Sequence, residues 1–244
     1  MAFPDRIRSG ETLLGTFLDL GSPLAAEIAA GAGFDWLVID LEHGAGDREA
    51  TLGQLHAATV PVFVRVPSPD SELIGWVLDF GAAGIVVPGV QGTEDAARAV
   101  AATRFASGRG LHLGVRAAGF GRDAGYLAEA DARRSVMIQI ETRSALAAVE
   151  EIAALPGVDV LFVGPYDLGY ALGVTPGAES PEVQQAAERA ATAARAAGKA
   201  AAVFLGDPGM AGRYRELGFT LIASGSAVGL LTDAMDTRLA ALRA

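Results

Sequence analysis

The sequence contains no cysteine among its 244 residues. Disulfides, zinc–thiolate sites and thiol nucleophiles are therefore excluded, and a reducing compartment fits without being required. Lysine is almost as scarce: Lys199 is the only one among 19 basic residues, and it lies in Gly198-Lys199-Ala200, just ahead of an apolar run. Schiff-base chemistry needs an amine held inside an active site, and a lone lysine just ahead of an apolar run is poorly placed for it, so that chemistry is not expected. Positive charge is short overall, with 29 acidic residues against 19 basic and a formal net charge of −10. DNA and RNA binding relies on clustered Lys and Arg, so no nucleic-acid partner is expected. Long apolar runs are missing too, since none approaches the roughly 20 residues of a membrane helix. The first 20 residues lack a basic region followed by an apolar stretch. We expect no signal peptide, no membrane partner and a soluble, cytoplasmic protein.

What the chain does have is apolar mass in short pieces. Hydrophobic residues make up 51% of it and the mean hydropathy is +0.33, enough for a large core within one domain. Strand-like runs fall at about 12–18, 35–40, 61–66, 84–88, 136–141, 158–164, 201–205 and 220–224. Amphipathic, Ala-rich segments follow them at about 23–32, 47–58, 71–80, 93–103, 143–154, 181–197, 208–217 and 227–243. This alternation is the pattern of repeated βα units around a parallel sheet. An open doubly wound sheet gives a similar string, so the polar residues have to decide. Asp40, Glu42 and His43 follow the second strand, Arg65 ends the third and Gln91 follows the fourth; Gln139 and Glu141 end the fifth and Asp167 follows the sixth. Groups after five consecutive strands converge if the sheet closes. We therefore expect an α/β fold of the (β/α)8 TIM-barrel type, one domain over 1–244, with its site at the C-terminal strand ends. The glycine-rich, basic stretch 104–135 breaks the rhythm and reads as an active-site loop with a short helix.

Gln139 and Glu141 are two apart on a strand and share a face, while Ile138 and Ile140 face the other way. Two carboxylates, Glu141 and Asp167, with no thiol available suit a hard divalent cation such as Mg²⁺ or Mn²⁺, with Co²⁺ a further option. A plainer reading is that Glu141 caps the next helix and Asp167 turns the chain. His43, beside Asp40 and Glu42, has the side chain best suited to acid–base work near neutrality; a solvent-exposed loop histidine is the alternative. His56 reads as structural and His112 as either. Arg65, in the apolar Val62-Phe63-Val64-Arg65-Val66, needs an anionic partner, either a substrate oxyanion or Asp40 and Glu42. The turn Ala223-Ser224-Gly225-Ser226 gives only a weak phosphate-site signal.

These motifs resemble the HpcH/HpaI aldolases. The match runs through Ala32-Gly33-Phe34-Asp35-Trp36, Ile39-Asp40-Leu41-Glu42-His43, Val64-Arg65-Val66-Pro67, Val87-Pro88-Gly89-Val90-Gln91, Gln139-Ile140-Glu141-Thr142 and Gly164-Pro165-Tyr166-Asp167-Leu168, in that order. The resemblance implies a metal-dependent pyruvate aldolase on a (β/α)8 barrel, commonly a homo-hexamer whose last helix is exchanged between subunits. It implies Glu141 and Asp167 as metal ligands, His43 as the acid–base residue and Arg65 as the stabiliser of an enolate. Gln139, Gly164, Pro165 and Tyr166, with Arg65, match positions that contact the 2-oxo acid, and Asp40, Glu42 and Asp79 match supporting positions. The chain departs from the family pattern at Leu41 and in the lead into Arg109-Gly110, within a loop expected to contact the aldehyde half. The expected reaction is reversible aldol cleavage of a 4-hydroxy-2-oxo acid to pyruvate, or hydroxypyruvate, and an aldehyde. An acyl-CoA lyase of the malyl- or citryl-CoA type and a non-catalytic 2-oxo acid binder are the alternatives.

Overall fold

The computed structural model describes residues 3–68 and 71–244. Eight parallel strands close into one barrel in sequence order: β1 Leu13–Leu18, β2 Trp36–Asp40, β3 Val62–Arg65, β4 Gly84–Val87, β5 Ser135–Ile140, β6 Val160–Val163, β7 Ala200–Leu205 and β8 Leu221–Ser226. Closure is made by β8 on β1, where Leu13 pairs with Leu221 and the register slips between Gly15 and Phe17. The expected barrel and the eight expected strands are all present, each within two residues of its expected start. The helices are α1 Phe3–Arg8, α2 Pro23–Gly31, α3 Arg48–Ala57, α4 Ser71–Asp79, α5 Thr93–Thr103, α6 Tyr126–Glu129, α7 Arg143–Ala147, α8 Val149–Ala154, α9 Pro165–Leu172, α10 Pro181–Ala196, α11 Ala211–Glu216 and α12 Ala227–Arg243. Among the described residues no helix is long and apolar enough to cross a membrane.

Two cores follow from the period of two along each strand. Outward residues such as Ile39, Val64, Ile85, Ile138, Leu161 and Val203 pack against the helices. On α10 the buried Ala186, Ala187, Ala190 and Ala194 bring the helix close to the sheet. Inward residues fill the barrel: Phe17, Trp36, Val38, Phe63, Val86, Met137, Phe162 and Leu221, with Phe3 and Ile7 of α1 closing the bottom. Trp36 is fully buried and its indole lies over its register partner Gly15, where a Cβ would sit 2.5 Å from the ring. Higher up, the inward positions turn polar: Val38 is followed by Asp40, Phe63 by Arg65, and Met137 by Gln139 and Glu141.

Several expected elements differ. The 143–154 helix breaks at Ala148 into α7 and α8, and 208–217 opens as a 3-10 turn before α11. The segments forming α1 and α9 carried no long periodic pattern and were not expected as helices. The 104–135 stretch does contain short helical pieces, the 3-10 turn Arg116–Gly121 and α6. It sits, however, at the opposite end of this barrel from the strand termini that carry Asp40 and Arg65. Arg109 reaches Asp79 at the end of α4 at 2.5 Å, and Arg116 donates to the Phe80 carbonyl at 2.9 Å. The physical reason is topological: a connection from a helix back to a strand returns to the N-terminal strand ends.

Trp36 supplies the largest inward side chain, with edge contacts to Phe63 at 5.8 Å and Phe162 at 6.5 Å between ring centroids. Trp36→Ala is expected to cost about 3–5 kcal/mol, measured by equilibrium urea unfolding. A cost below about 1 kcal/mol would mean that the interior is not close-packed there.

Candidate active site

The mouth is organised by an ion pair across β2 and β3, where Asp40 and Arg65 are register partners. Arg65 donates from Nε to Asp40 Oδ1 at 2.9 Å and from Nη2 to Oδ2 at 2.6 Å, the planar fork that Arg alone offers. Its Nη1 lies 3.1 Å from Glu42 Oε2, and its guanidinium sits 5.1 Å from the Phe17 ring centroid. Asp40 Oδ1 also accepts the backbone N–H groups of Glu42 and His43. Burial works against ionising Asp40, yet Arg65 and these two N–H groups hold its carboxyl below the usual range. Arg65 keeps its proton for the converse reason: burial opposes the charge, and Asp40, Glu42 and Glu141 outweigh it. The pair fixes the chain path to His43, whose imidazole is exposed with Nε2 3.8 Å from Glu42 Oε2.

Opposite stands Glu141, just past β5 and 6% exposed. Its Oε1 accepts the Gly89 N–H at 2.6 Å; Gly89 adopts φ +67°, a left-handed turn that favours glycine. Its Oε2 accepts from Gln139 Nε2. Gly164 lies against both side chains, and a Cβ there would come within 2.7 Å of Glu141 Oε2. Asp167 occupies the first turn of α9 rather than a loop. The helix cap expected of Glu141 belongs instead to Thr142, whose hydroxyl accepts the Ala145 N–H. Burial, then the negative charges of Asp167 and Glu42, push the Glu141 carboxyl up to about 7 against the pull of Gly89 and Arg65. Burial likewise raises Glu42, against Arg65 and His43.

A pocket of about 310 Å³ opens here, lined by Asp40, His43, Arg65, Gln139, Gly164, Pro165, Tyr166 and Asp167, with Glu141 behind Gln139 and Gly164 rather than on the wall itself. Phe17, Phe162 and Phe204, with Asp19 and Ser226, complete the wall; of these only Ser226, in the weak phosphate-site turn, carried a functional signal in the sequence. The three phenylalanines are apolar residues near strand C-termini, and only closure of the barrel distinguishes them from core. Asp19 accepts the Val228 N–H at the start of α12. The remaining candidates lie elsewhere. Asp79 is held by Arg109 away from this pocket, and Gln91 turns outward to Gly89 and Ser144. His56 and His112 are exposed and do not line it. Lys199 lies at the N-terminal end of β7, out of reach of the pocket.

The donors facing the pocket are oxygens, and the Gln139 Oε1 is buried with no hydrogen-bond partner. An unmet buried acceptor beside carboxylates that resist ionisation is the environment a hard cation relieves. Among the described residues no three His, Cys, Asp or Glu side chains gather closely enough for a preformed cage, so a cation here would rest on two carboxylates and leave positions open.

The Glu141 environment sets a pH test. Its proton affinity is higher folded than unfolded, so the stability that Glu141 contributes is fully present below about pH 4.5 and is lost as the pH rises to about 7, by roughly 3 kcal/mol. Glu141→Gln cannot ionise and is expected to remove that slope in metal-free protein, read from denaturant titrations between pH 4.5 and 7.5. Equal slopes in both proteins would sink the argument from burial.

Comparison with known proteins extends the geometry. The family profile described as HpcH/HpaI aldolase/citrate lyase matches residues 13–234. A hydroxypyruvate/pyruvate aldolase of Paraburkholderia phytofirmans is 42% identical over 230 residues, covering 89% of this chain and 88% of that protein. A 4-hydroxy-2-oxo-heptane-1,7-dioate aldolase of Salmonella heidelberg is 39% identical, covering 94% and 90%. The crystal structure of an HpcH/HpaI aldolase/citrate lyase family protein from Burkholderia cenocepacia superimposes with a TM-score of 0.93 at 40% identity, covering 99% of this chain and 98% of that one. The chain belongs to the HpcH/HpaI aldolase/citrate lyase family, and it is a carbon–carbon lyase that performs aldol cleavage.

Proposed function

We propose that the substrate is a 4-hydroxy-2-oxo acid, cleaved reversibly to pyruvate or hydroxypyruvate and an aldehyde, with a divalent cation held by Glu141 and Asp167. The observation that carries this reading is the convergence at one pocket of a largely buried Arg65, the Asp167 carboxylate and the unpartnered Gln139 amide oxygen, with the Glu141 carboxylate hydrogen-bonded to Gln139 just behind the wall. A bound Mg²⁺, Mn²⁺ or Co²⁺ would supply Lewis-acid charge against the enolate that forms when the carbon–carbon bond breaks. Arg65 shares that charge from a position Asp40 fixes in advance, which is how preorganised groups act most strongly. The first turn of α9, entered through Gly164-Pro165, points backbone N–H groups at the pocket and suits the substrate carboxylate. His43, exposed at the rim, takes the proton of the 4-hydroxyl directly or through one water. Phe17, Phe162 and Phe204 provide the apolar wall along the carbon chain. A CoA substrate fits less well, because Arg104, Arg109, Arg116 and Arg122 belong to the excursion at the other end of the barrel and leave no basic rim at this pocket. The names of the relatives, hydroxypyruvate/pyruvate aldolase among them, support the 2-oxo acid half, and the absence of cysteine suits a cytoplasmic enzyme.

The test is exchange of the pyruvate methyl protons in deuterated buffer. Chelation is expected to slow exchange by about two orders of magnitude or more, with recovery on adding Mg²⁺ or Mn²⁺. Arg65→Ala is expected to lower turnover by about 10²–10³-fold with cation affinity little changed, whereas Asp167→Ala weakens cation affinity. Exchange at the untreated rate after chelation would overturn the cation's role.

We also infer that the chain works as a homo-oligomer that exchanges α12, consistent with a hexamer. No residue of α12 is buried; Met235 is 60% exposed and Leu242 78%. Beside its base, α2 leaves Leu24 and Ile28 uncovered in a groove of about 410 Å³. A second copy's α12, which exposes Met235, Leu239 and Leu242, supplies the apolar surface to cover it. Met235→Glu with Leu239→Glu is expected to shift the mass measured by light scattering to a smaller species. An unchanged mass would show that this face is not the interface.

A further inference from the structure

We propose that the N-terminal end of the barrel carries a second binding site, for a small organic polyanion, in the pocket between α1, the C-terminal part of α10 and the segments that lead into β5 to β8. The pocket has a volume of about 360 Å³ and lies at the opposite end of the barrel from the catalytic mouth. Its walls bring together Arg8, Arg195 and Lys199, on a chain whose formal net charge is −10. Arg8 is shared with Asp5 at 2.6 Å, while neither Arg195 nor Lys199 forms an ion pair among the described residues. The acid that faces them, Asp159, is half-buried and directs one oxygen to the Val136 N–H at 2.9 Å. Arg104 adds to the positive field around that carboxyl. With Arg8 already paired to Asp5, Asp159 faces two further lining cations, Arg195 and Lys199, and that surplus is what an anion would neutralise.

The volume selects the class, because a lone inorganic ion leaves most of such a pocket empty. A short skeleton carrying two or more anionic groups, either carboxylates or phosphate esters, fills it and spans from Arg8 on α1 to Lys199 at β7. Such a ligand ties the helix that closes the barrel floor to the strands above it.

Lys199 makes the site directly observable. Reductive methylation with ¹³C-formaldehyde keeps the lysine charge and gives one side-chain signal in the whole protein, besides that of the chain's α-amine. Citrate and glucose 6-phosphate serve as the carboxylate and phosphate-ester probes, with inorganic phosphate and chloride at matched ionic strength as controls. The expected result is a saturable shift of the Lys199 signal with at least one organic probe, with a dissociation constant of about 1 mM or tighter. Arg195→Ala, a helix-favouring change at an exposed position, is expected to weaken that binding at least tenfold and leave aldol turnover unchanged. A shift that tracks ionic strength whatever the anion, no shift with either organic probe, or equal affinity in the Arg195 variant would overturn the proposal. Saturation by inorganic phosphate alone would overturn the polyanion class.

Discussion

The catalytic mouth depends on one buried ion pair. Arg65 stands where the inward face of β3 leaves the apolar interior, and a guanidinium there without a partner would cost several kcal/mol. Asp40 on the neighbouring strand cancels that cost in a bidentate fork. The same carboxylate accepts the backbone N–H groups of Glu42 and His43, so charge compensation and loop geometry are one arrangement. Removing Asp40 would leave the arginine with Glu42 alone and at the same time release the loop. Its partner on the next strand is thus as much a part of the site as any group that touches substrate.

Above the aromatic layer of Trp36, Phe63 and Phe162, the interior changes character within one strand repeat. Below, the residues are sized to one another, as Gly15 is to the Trp36 indole. Above, they are matched by charge and hydrogen bonding instead: Glu141 to the Gly89 N–H and Gln139, Arg65 to Asp40 and Glu42. Acids crowd at this level with fewer donors than they can use, and Glu141 accordingly resists ionisation. A site tuned to take up positive charge would be built this way, since a fully satisfied network leaves nothing for a ligand to improve.

Much of this was legible in the sequence because it follows from alternation. The period of two placed Gln139 and Glu141 on the inward face and Ile138 and Ile140 outward, as the two cores confirm. The apolar setting of Arg65 called for an acidic partner, and Asp40 is that partner. Other features left no local trace. Helix α9 is short and starts at Pro165 directly after a strand, so Asp167 read as a loop residue. Gln91 sits after a strand like its neighbours, but left-handed Gly89 turns the chain and its side chain leaves the mouth. The 104–135 excursion has the composition of an active-site loop, and only the direction of chain travel puts it at the far end. Phe17 and Phe204 carry no signal separating pocket wall from core until the barrel closes.

Helix α1 closes the barrel floor with Phe3 against Phe63 at 5.6 Å between ring centroids, and with Ile7 among the inward residues. Six residues are too few to hold a helix alone in water, and the apolar surface that supports this one includes Leu221 of the last strand. Helix α1 therefore has its complete docking surface only once β8 has closed the ring on β1, so the floor and the closure of the barrel form together.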